Sequence, residues 1–202
     1  AIPVTLITLA LAAPAGYAFG RMGFPHKNKL LFLLIGSRSL PPVSILIPYF
    51  FFYFSLGLIG THLGLFLIYL SITIPLITWV LLGFFATLPI ETERAARIDG
   101  CSRFSAFLRV VLPMASPGIA ACAMLAFLMS WNEFMFAWIL ASGSIAQTLP
   151  PALASMFYQW AEIEMMSAAS VIAIIPPVLI ALIFQKYITQ LKIVDPVTVG
   201  GV

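Results

Sequence analysis

Apolar residues fill most of the chain and fall into five long runs, which shorter polar segments separate. A helix needs about 20 mostly apolar residues to cross a bilayer. In lipid, a single apolar run can satisfy its own backbone groups only as a helix. The pattern therefore predicts an all-α, polytopic helical bundle in a membrane, with five visible transmembrane helices. We expect them over residues 2–19, 30–54, 63–88, 118–140 and 168–187.

The second run and the segment between the fourth and fifth runs each have a further feature. Pro41, Pro42 and Pro48 cluster in the second run. Proline removes a helical N–H and strains the preceding turn, and transporters tolerate broken helices where they line a cavity. The cluster favours a moving or pore-lining second helix, and the alternative is a plain packing kink. Between the fourth and fifth runs, residues 152–166 are amphipathic, with aromatic residues suited to an interface, and are expected to form a short helix across the outer mouth.

Composition and charge narrow the class of protein. Hydrophobic residues make up 62% of the 202 residues and charged residues only 8%, whereas soluble domains carry about 25% charged residues. The net charge of +3 comes from few, scattered basic residues, so no nucleic-acid partner is expected. Cys101 and Cys122 belong to no CxxC or Cys–His cluster, and therefore no metal site is predicted.

The loops set the orientation of the spans. Nine of the ten Lys and Arg residues lie after the first run, between the third and fourth runs, or after the fifth run. The positive-inside rule makes these loops cytoplasmic. The chain is then expected to end inside the cell, with one further helix before Ala1 to complete a set of six.

One polar stretch, Leu88–Pro117, holds seven of the seventeen charged residues. Its first part, Glu91–Ile98, is predicted to be a helix because acidic residues in a first turn favour the helix dipole. Asp99 and Gly100 indicate a turn. Small Ala95 and Ala96 would let a partner approach closely, as in helix-in-groove docking. The alternative is a solvated loop that only connects two spans.

The second part of this stretch is predicted to be an amphipathic helix. Ser102 is a suitable N-cap, and Leu112-Pro113 is expected to end the helix. Helical spacing predicts one apolar face. It would contain Phe104, Phe107, Leu108 and Val111.

These residues resemble the cytoplasmic signature of permease subunits of binding-protein-dependent ABC importers. That signature reads Glu-Ala-Ala, three residues, Gly, nine residues, Ile, one residue and Leu-Pro. Here Val110 takes the isoleucine position, while Arg94 replaces the glutamate and Glu93 precedes it. The resemblance implies a coupling loop, residues 89–113, that docks on an ATPase. Its coupling residues would be Glu93, Arg94, Ala95, Ala96, Asp99, Gly100, Leu112 and Pro113.

Further segments resemble carbohydrate-importer permeases of the maltose-transporter MalG type. They are residues 18–25, 37–42, 131–134 and the glycine-rich tail 197–202. The resemblance implies that residues 1–202 form a single type I ABC-importer transmembrane domain in a bacterial or archaeal cytoplasmic membrane. It would provide half of the translocation path for a sugar or a related solute.

The resemblance also implies a set of partners besides the membrane lipid. These are a second, MalF-like permease, a dimer of ATP-binding subunits and an extracytoplasmic solute-binding protein. The chain has no Gly-x-x-x-x-Gly-Lys-Ser/Thr motif, which is the phosphate-binding loop of many ATPases. We therefore expect the chain to be no enzyme and to bind no cofactor, with ATP and Mg²⁺ held by the ATPase.

A few polar residues fall inside the predicted spans, where charge is costly and often functional. Arg38, Asn132 and Glu133 are candidates to line the translocation path, and Trp131 could stack on a sugar ring. Alternatively, Arg38 reaches the surface and Glu133 pairs within the bundle.

Two other classes of membrane protein remain as alternatives to a carbohydrate permease. An ion-coupled secondary transporter would need several buried carboxylates or histidines, and Glu133 alone fits that need. An integral membrane enzyme would need a nucleophile with a base or paired carboxylates, and none is visible. An importer permease for a non-carbohydrate solute shares the same signatures.

Overall fold

The structure, a computed structural model, describes residues 1–158 and 163–188, and its secondary structure in these ranges is helical. The predicted tail segment 197–202 and residues 159–162 of the outer loop lie outside the described residues. The helices are α1 Ile2–Arg21, α2 Lys27–Gly36, α3 Pro42–Ser55, α4 His62–Thr87, α5 Ile90–Ile98, α6 Arg103–Met114, α7 Ser116–Trp131, α8 Met135–Ala141, α9 Leu149–Tyr158 and α10 Ile163–Ile188.

Three helices of the described part, α1, α4 and α10, are long and apolar enough to cross a membrane. The helices α6 and α7 meet at an angle of 77° and would make a fourth span if they act as one. The first, third and fifth apolar runs are thus confirmed as helices. The second and fourth runs are not single helices.

The second run divides into α2 and α3 at a turn over residues 37–41. Pro42 begins α3, where its missing N–H costs nothing because a first-turn N–H has no partner within the helix. The fourth run divides after Trp131, and α8 begins at Met135. The predicted outer helix 152–166 begins earlier, at Leu149 of α9, and its last four residues belong to α10, which starts at Ile163.

The bundle is built on the packing of α1 against α4. Gly16 permits close approach, since a Cβ added there would lie 3.0 Å from Leu81 Cβ and 3.1 Å from Thr78 O. Small residues allow this kind of helix packing in membranes, where buried hydroxyl pairs add to it. Thr8 and Thr73 supply such a pair, with 2.7 Å between their Oγ1 atoms.

Two apolar cores lie along this helix pair. One surrounds the first turns of α1 and α4 and includes Val4 and Ile68. The other surrounds the last turns of the same helices and includes Tyr17 and Phe85, together with Phe107 of α6. The polar stretch therefore packs against the second core.

The polar stretch has the predicted order of helix, turn and helix. Gly100 has φ of 91° in the turn, and Ser102 caps α6 by accepting a 3.2 Å hydrogen bond from Ser105 N. Pro113, however, does not end α6, which continues to Met114. A π-helical segment over Phe107–Val111 precedes the proline and accommodates its missing N–H.

The predicted apolar face of α6 is only half correct. Phe107 and Val111 are buried, whereas Phe104 is 69% exposed and Leu108 is 43% exposed. The apolar face of α6 is therefore wider than the part of the core that covers it, and Phe104 and Leu108 at its edge remain exposed.

Candidate functional site

The candidate coupling site begins where α4 ends. Leu88 and Pro89 have extended backbone conformations, so the chain turns before α5 starts at Ile90. Glu91 and Glu93 lie in the first turn of α5 and Arg97 in its last turn. This order of charges stabilises a short helix through its dipole.

Most of the predicted coupling residues share one uncovered surface. Arg94, Ala95, Asp99 and Gly100 are exposed, and Ala96 is half-buried. The small side chains therefore remain accessible between charged neighbours, as docking into a groove requires. The last two predicted coupling residues lie in α6, where Leu112 is half-buried and Pro113 is exposed.

Glu93 differs from the other predicted coupling residues because it faces the interior. It is 8% exposed, and the Tyr17 hydroxyl donates a 2.6 Å hydrogen bond to its Oε1 atom. Its Oε2 atom is buried without a hydrogen-bond partner in the described part of the chain. This carboxylate therefore holds α5 to α1.

Arg21 makes a second link between α1 and the coupling loop. Its Nη2 atom donates to the Leu88 carbonyl oxygen, which ends α4. Its buried Nε atom has no partner among the described residues. Tyr17 and Arg21 are four residues apart, so they lie on the same face of α1.

Sequence reasoning missed two apolar residues at this site. Ile98, beside the turn, is 85% exposed, and Phe104 was expected to be buried. The sequence did offer a signal for Ile98, because it is an isolated isoleucine among charged residues in a short helix. Both lie next to the turn at Gly100 and extend the exposed surface with apolar area, which protein partners commonly cover.

The predicted translocation residues lie at the break between α7 and α8. The two carboxylate oxygens of Glu133 accept hydrogen bonds from Phe136 N at 2.9 Å and Ala137 N at 3.0 Å. Glu133 therefore caps α8, where backbone N–H groups lack helical partners. Asn132 ends α7 and is exposed.

Trp131 connects this break to α10. Its Nε1 atom donates a 3.1 Å hydrogen bond to Ala173 O. Its ring stacks on Phe127, with 5.6 Å between the ring centroids. One face of the indole is thus already occupied by an aromatic ring.

A cavity of about 230 Å³ opens beside Trp131. The hydroxyls of Tyr69 and Thr148 are buried there and make no hydrogen bond of ordinary geometry in the described part of the chain. The Tyr69 hydroxyl lies close to Thr148 and to the Glu133 carboxylate, so the cavity has a group of polar atoms near an aromatic ring. Its lining residues are Ala1, Tyr69, Ser130, Trp131, Thr148, Leu149 and Pro150.

Arg38 lies in the turn between α2 and α3 and is exposed. Its Nη1 atom donates a 3.0 Å hydrogen bond to Ile72 O of α4. Pro75, one turn further along α4, has no N–H. It therefore leaves the carbonyl group four residues before it without a helical hydrogen bond. Arg38 thus contacts α4, whereas Trp131 contacts α10.

The described residues contain no group of three His, Cys, Asp or Glu side chains that could hold a metal ion. Cys122 is buried and Cys101 half-buried, and both are free thiols.

Known proteins with similar structures are components of ABC transporters. One is a bacterial ABC transporter involved in import of the acidic polysaccharide alginate, with a TM-score of 0.70 and 19% identity, covering 92% of this chain and 73% of that chain. Another is the MetNI methionine ABC transporter in an inward-facing conformation, with a TM-score of 0.70 and 18% identity, covering 94% and 91%. These likenesses concern the fold.

Known sequences show closer relatives. The trehalose/maltose transport system permease protein MalG of Thermococcus litoralis is 37% identical over 189 residues, which cover 93% of this chain and 68% of that protein. The sulfoquinovosyl glycerol transport system permease protein SmoH of Agrobacterium fabrum is 32% identical, with 98% and 68% covered. The trehalose transport system permease protein SugB of Mycobacterium tuberculosis is 33% identical, with 98% and 72% covered.

A family model, the binding-protein-dependent transport system inner membrane component, matches residues 12–193. This match covers most of the chain, including the coupling loop and the break at Trp131. The chain belongs to the family of inner membrane components of binding-protein-dependent transport systems, and it is a multi-pass permease subunit of an ABC importer.

Proposed function

We propose that this permease subunit forms half of the translocation path for a sugar or a related solute. The names of its relatives support a carbohydrate, since they refer to trehalose, maltose and sulfoquinovosyl glycerol. The fold alone is compatible with other solutes, because the methionine transporter is an equally similar structure. The permease is no enzyme, and ATP with Mg²⁺ is bound and hydrolysed by the partner ATPase.

The observation that carries the coupling mechanism is the uncovered surface of α5. Ala95 and Ala96 lie between exposed charges, and Ile98 adds exposed apolar area. We infer that this surface docks into a groove of the ATPase, as amphipathic helices do. Closure of the ATPase dimer around ATP would then move the loop 89–113 as a lever and switch the spans between inward-facing and outward-facing states.

The proposed assembly contains a second, MalF-like permease, two ATPase subunits and an extracytoplasmic solute-binding protein. In this proposal residues 1–202 form one transmembrane domain of a cytoplasmic membrane, with five spans in this sequence. The broken pair α2 with α3 accounts for one of them. The helix α7 accounts for another, continued by α8 and not by α6, because α6 belongs to the proposed coupling loop. The chain ends in the cytoplasm, since most basic residues lie on that side.

The translocation path is proposed to pass the break after Trp131. Asn132 is exposed there, and the buried hydroxyls of Tyr69 and Thr148 lie in the cavity beside Trp131. Sugars are recognised through hydrogen bonds and aromatic faces, which this region offers. The capping bonds of Glu133 favour a structural role for its carboxylate. Arg38 contributes to the path where the turn over residues 37–41 faces that path.

A cysteine crosslinking experiment tests the docking of α5. Ala96→Cys would be introduced after Cys101→Ser and Cys122→Ala, so that the native thiols do not compete. The complete transporter would carry a cysteine in the ATPase groove. Ser142→Cys, an exposed position after α8, is the matched control. We expect an ATP-dependent crosslink at position 96 and none at position 142. No crosslink at position 96 in any nucleotide state would refute docking.

A further inference from the structure

The last turns of α1 hold the coupling loop through a buried hydrogen bond. The Tyr17 hydroxyl donates to Glu93 Oε1 at 2.6 Å, and the two residues are 3% and 8% exposed. Charged carboxylates accept short and strong hydrogen bonds. This bond joins residues 76 positions apart in the sequence, so it connects a transmembrane helix directly to α5.

The ring of Tyr17 contacts the other two helices around the loop. Its centroid lies 6.0 Å from that of Phe85 in α4 and 4.7 Å from that of Phe107 in α6. The ring therefore fixes the hydroxyl by packing, while the hydroxyl fixes Glu93. The positive charges of Arg21 and Arg103 also act on this hydroxyl.

The carboxylate of Glu93 has no other donor among the described residues. Its Oε2 atom is buried and unpaired. If the Tyr17 bond were lost, a buried charge would remain without any hydrogen bond, which is strongly unfavourable. The bond therefore resists separation of α5 from α1 more than an exposed contact would.

The helix that donates this bond, α1, is itself firmly joined to α4. An added Cβ at Gly16 would lie 3.1 Å from Leu82 N, and one at Gly20 would lie 3.1 Å from Leu82 O. The two backbones are thus in direct contact. A displacement of α5 that passes through Glu93 would move α1 and α4 together.

We propose that Tyr17 is a positioning residue of the transport cycle. Its hydroxyl holds Glu93 so that α5 transmits displacement from the ATPase to the α1–α4 pair. The inference rests on the proposed docking of α5 on the ATPase. It assigns Glu93 to the transmission of movement within the permease and leaves the contact with the ATPase to the exposed residues of α5.

The test compares Tyr17→Phe with Tyr53→Phe in the complete reconstituted transporter. Both variants remove the hydroxyl of a buried tyrosine and keep the ring, but Tyr53 belongs to the core at the opposite end of the bundle. We expect Tyr17→Phe to lower solute transported per ATP hydrolysed by about tenfold, the effect of losing one hydrogen bond to a charged group. ATP hydrolysis would continue, and Tyr53→Phe would keep the normal ratio.

The Glu93→Leu variant removes the acceptor of this bond at similar side-chain size. It is expected to lower the transport ratio, because α5 then loses its hydrogen bond to α1. Adding Tyr17→Phe to Glu93→Leu should lower the ratio no further, since the bond is already absent. If Tyr17→Phe does not assemble, a lowered ratio in Glu93→Leu supports the inference and an unchanged ratio overturns it.

The crosslink from position 96 distinguishes the two proposals. A crosslink that persists in Tyr17→Phe, together with a lowered transport ratio, supports the role of Tyr17. A persistent crosslink with an unchanged ratio overturns that role but leaves docking intact. An absent crosslink in the otherwise normal protein would overturn docking and the inference that rests on it.

Discussion

Replacing Gly16 with alanine is expected to force α1 away from α4. The new Cβ would lie 3.0 Å from Leu81 Cβ and 3.1 Å from both Thr78 O and Leu82 N. Ordinary contacts between carbon atoms lie at about 3.5–4.0 Å. Two of the three neighbours are backbone atoms, which no side-chain rotation can move. The helices must therefore separate by about 0.5 Å along the seam.

The expected magnitude follows from two opposing effects. Inserting a methyl group into a packed interface costs about 1–3 kcal/mol, and alanine gains about 0.8–1.0 kcal/mol over glycine in a helix. Gly83→Ala is the matched control, since Gly83 lies inside α4 and an added Cβ would meet nothing within 4 Å. The helix gain cancels between the two variants. Gly16→Ala should thus be less stable than Gly83→Ala by about 1–3 kcal/mol.

Thermal unfolding of the purified transporter in detergent measures this difference. For a chain of this size, 1 kcal/mol shifts the unfolding midpoint by about 2–4 °C. We therefore expect Gly16→Ala to unfold roughly 2–12 °C below Gly83→Ala. Equal midpoints would show that the α1–α4 contact has room at Gly16 and would refute the close packing of these helices.

Four further substitutions test other parts of the structure. Gly118→Ala should destabilise the bundle because the new Cβ would lie 2.5 Å from the Phe84 ring. Adding Phe84→Leu to this variant should raise the unfolding midpoint again, and no recovery would contradict the clash. Glu133→Gln should cost about 1 kcal/mol by weakening the cap of α8; unchanged thermal stability and solute uptake together would argue against both the cap and the path. Ala96→Trp should abolish uptake while ATP hydrolysis persists, and Arg94→Glu should keep uptake near normal; normal uptake with Ala96→Trp would count against docking of α5.

Local chemistry made the polar stretch predictable from sequence. Asp99-Gly100 and Ser102 carry strong turn and capping preferences, and the structure has the turn and the cap at these positions. The prolines of the second apolar run likewise predicted an irregular helix there, and the structure divides the run into α2 and α3 beside Pro41 and Pro42. In each case a few neighbouring residues determine the backbone.

The remaining features depend on contacts between distant segments. The burial of Glu93 requires Tyr17 to reach it from 76 residues away, and no local pattern contains that information. The break at Trp131 was missed because the fourth run is apolar on both sides of it. The signal for this break in the sequence was Glu133. Its carboxylate accepts hydrogen bonds from backbone N–H groups at the start of α8, where no helical carbonyl is available. A charge inside an apolar run was interpreted as a transport residue, although helix capping also explains it.

The order of residues in α1 shows how one helix serves two neighbours. Gly16 and Gly20 are four residues apart, as are Tyr17 and Arg21, and the second pair follows the first by one residue. One residue corresponds to about 100° around a helix, so the two pairs occupy adjacent faces. The glycine face contacts the α4 backbone, while the polar face bonds to Glu93 and to the Leu88 carbonyl. Because both faces belong to the same turns of α1, the movement that we propose for the coupling loop would reach α4 through α1 as well as through the chain that links α4 to α5.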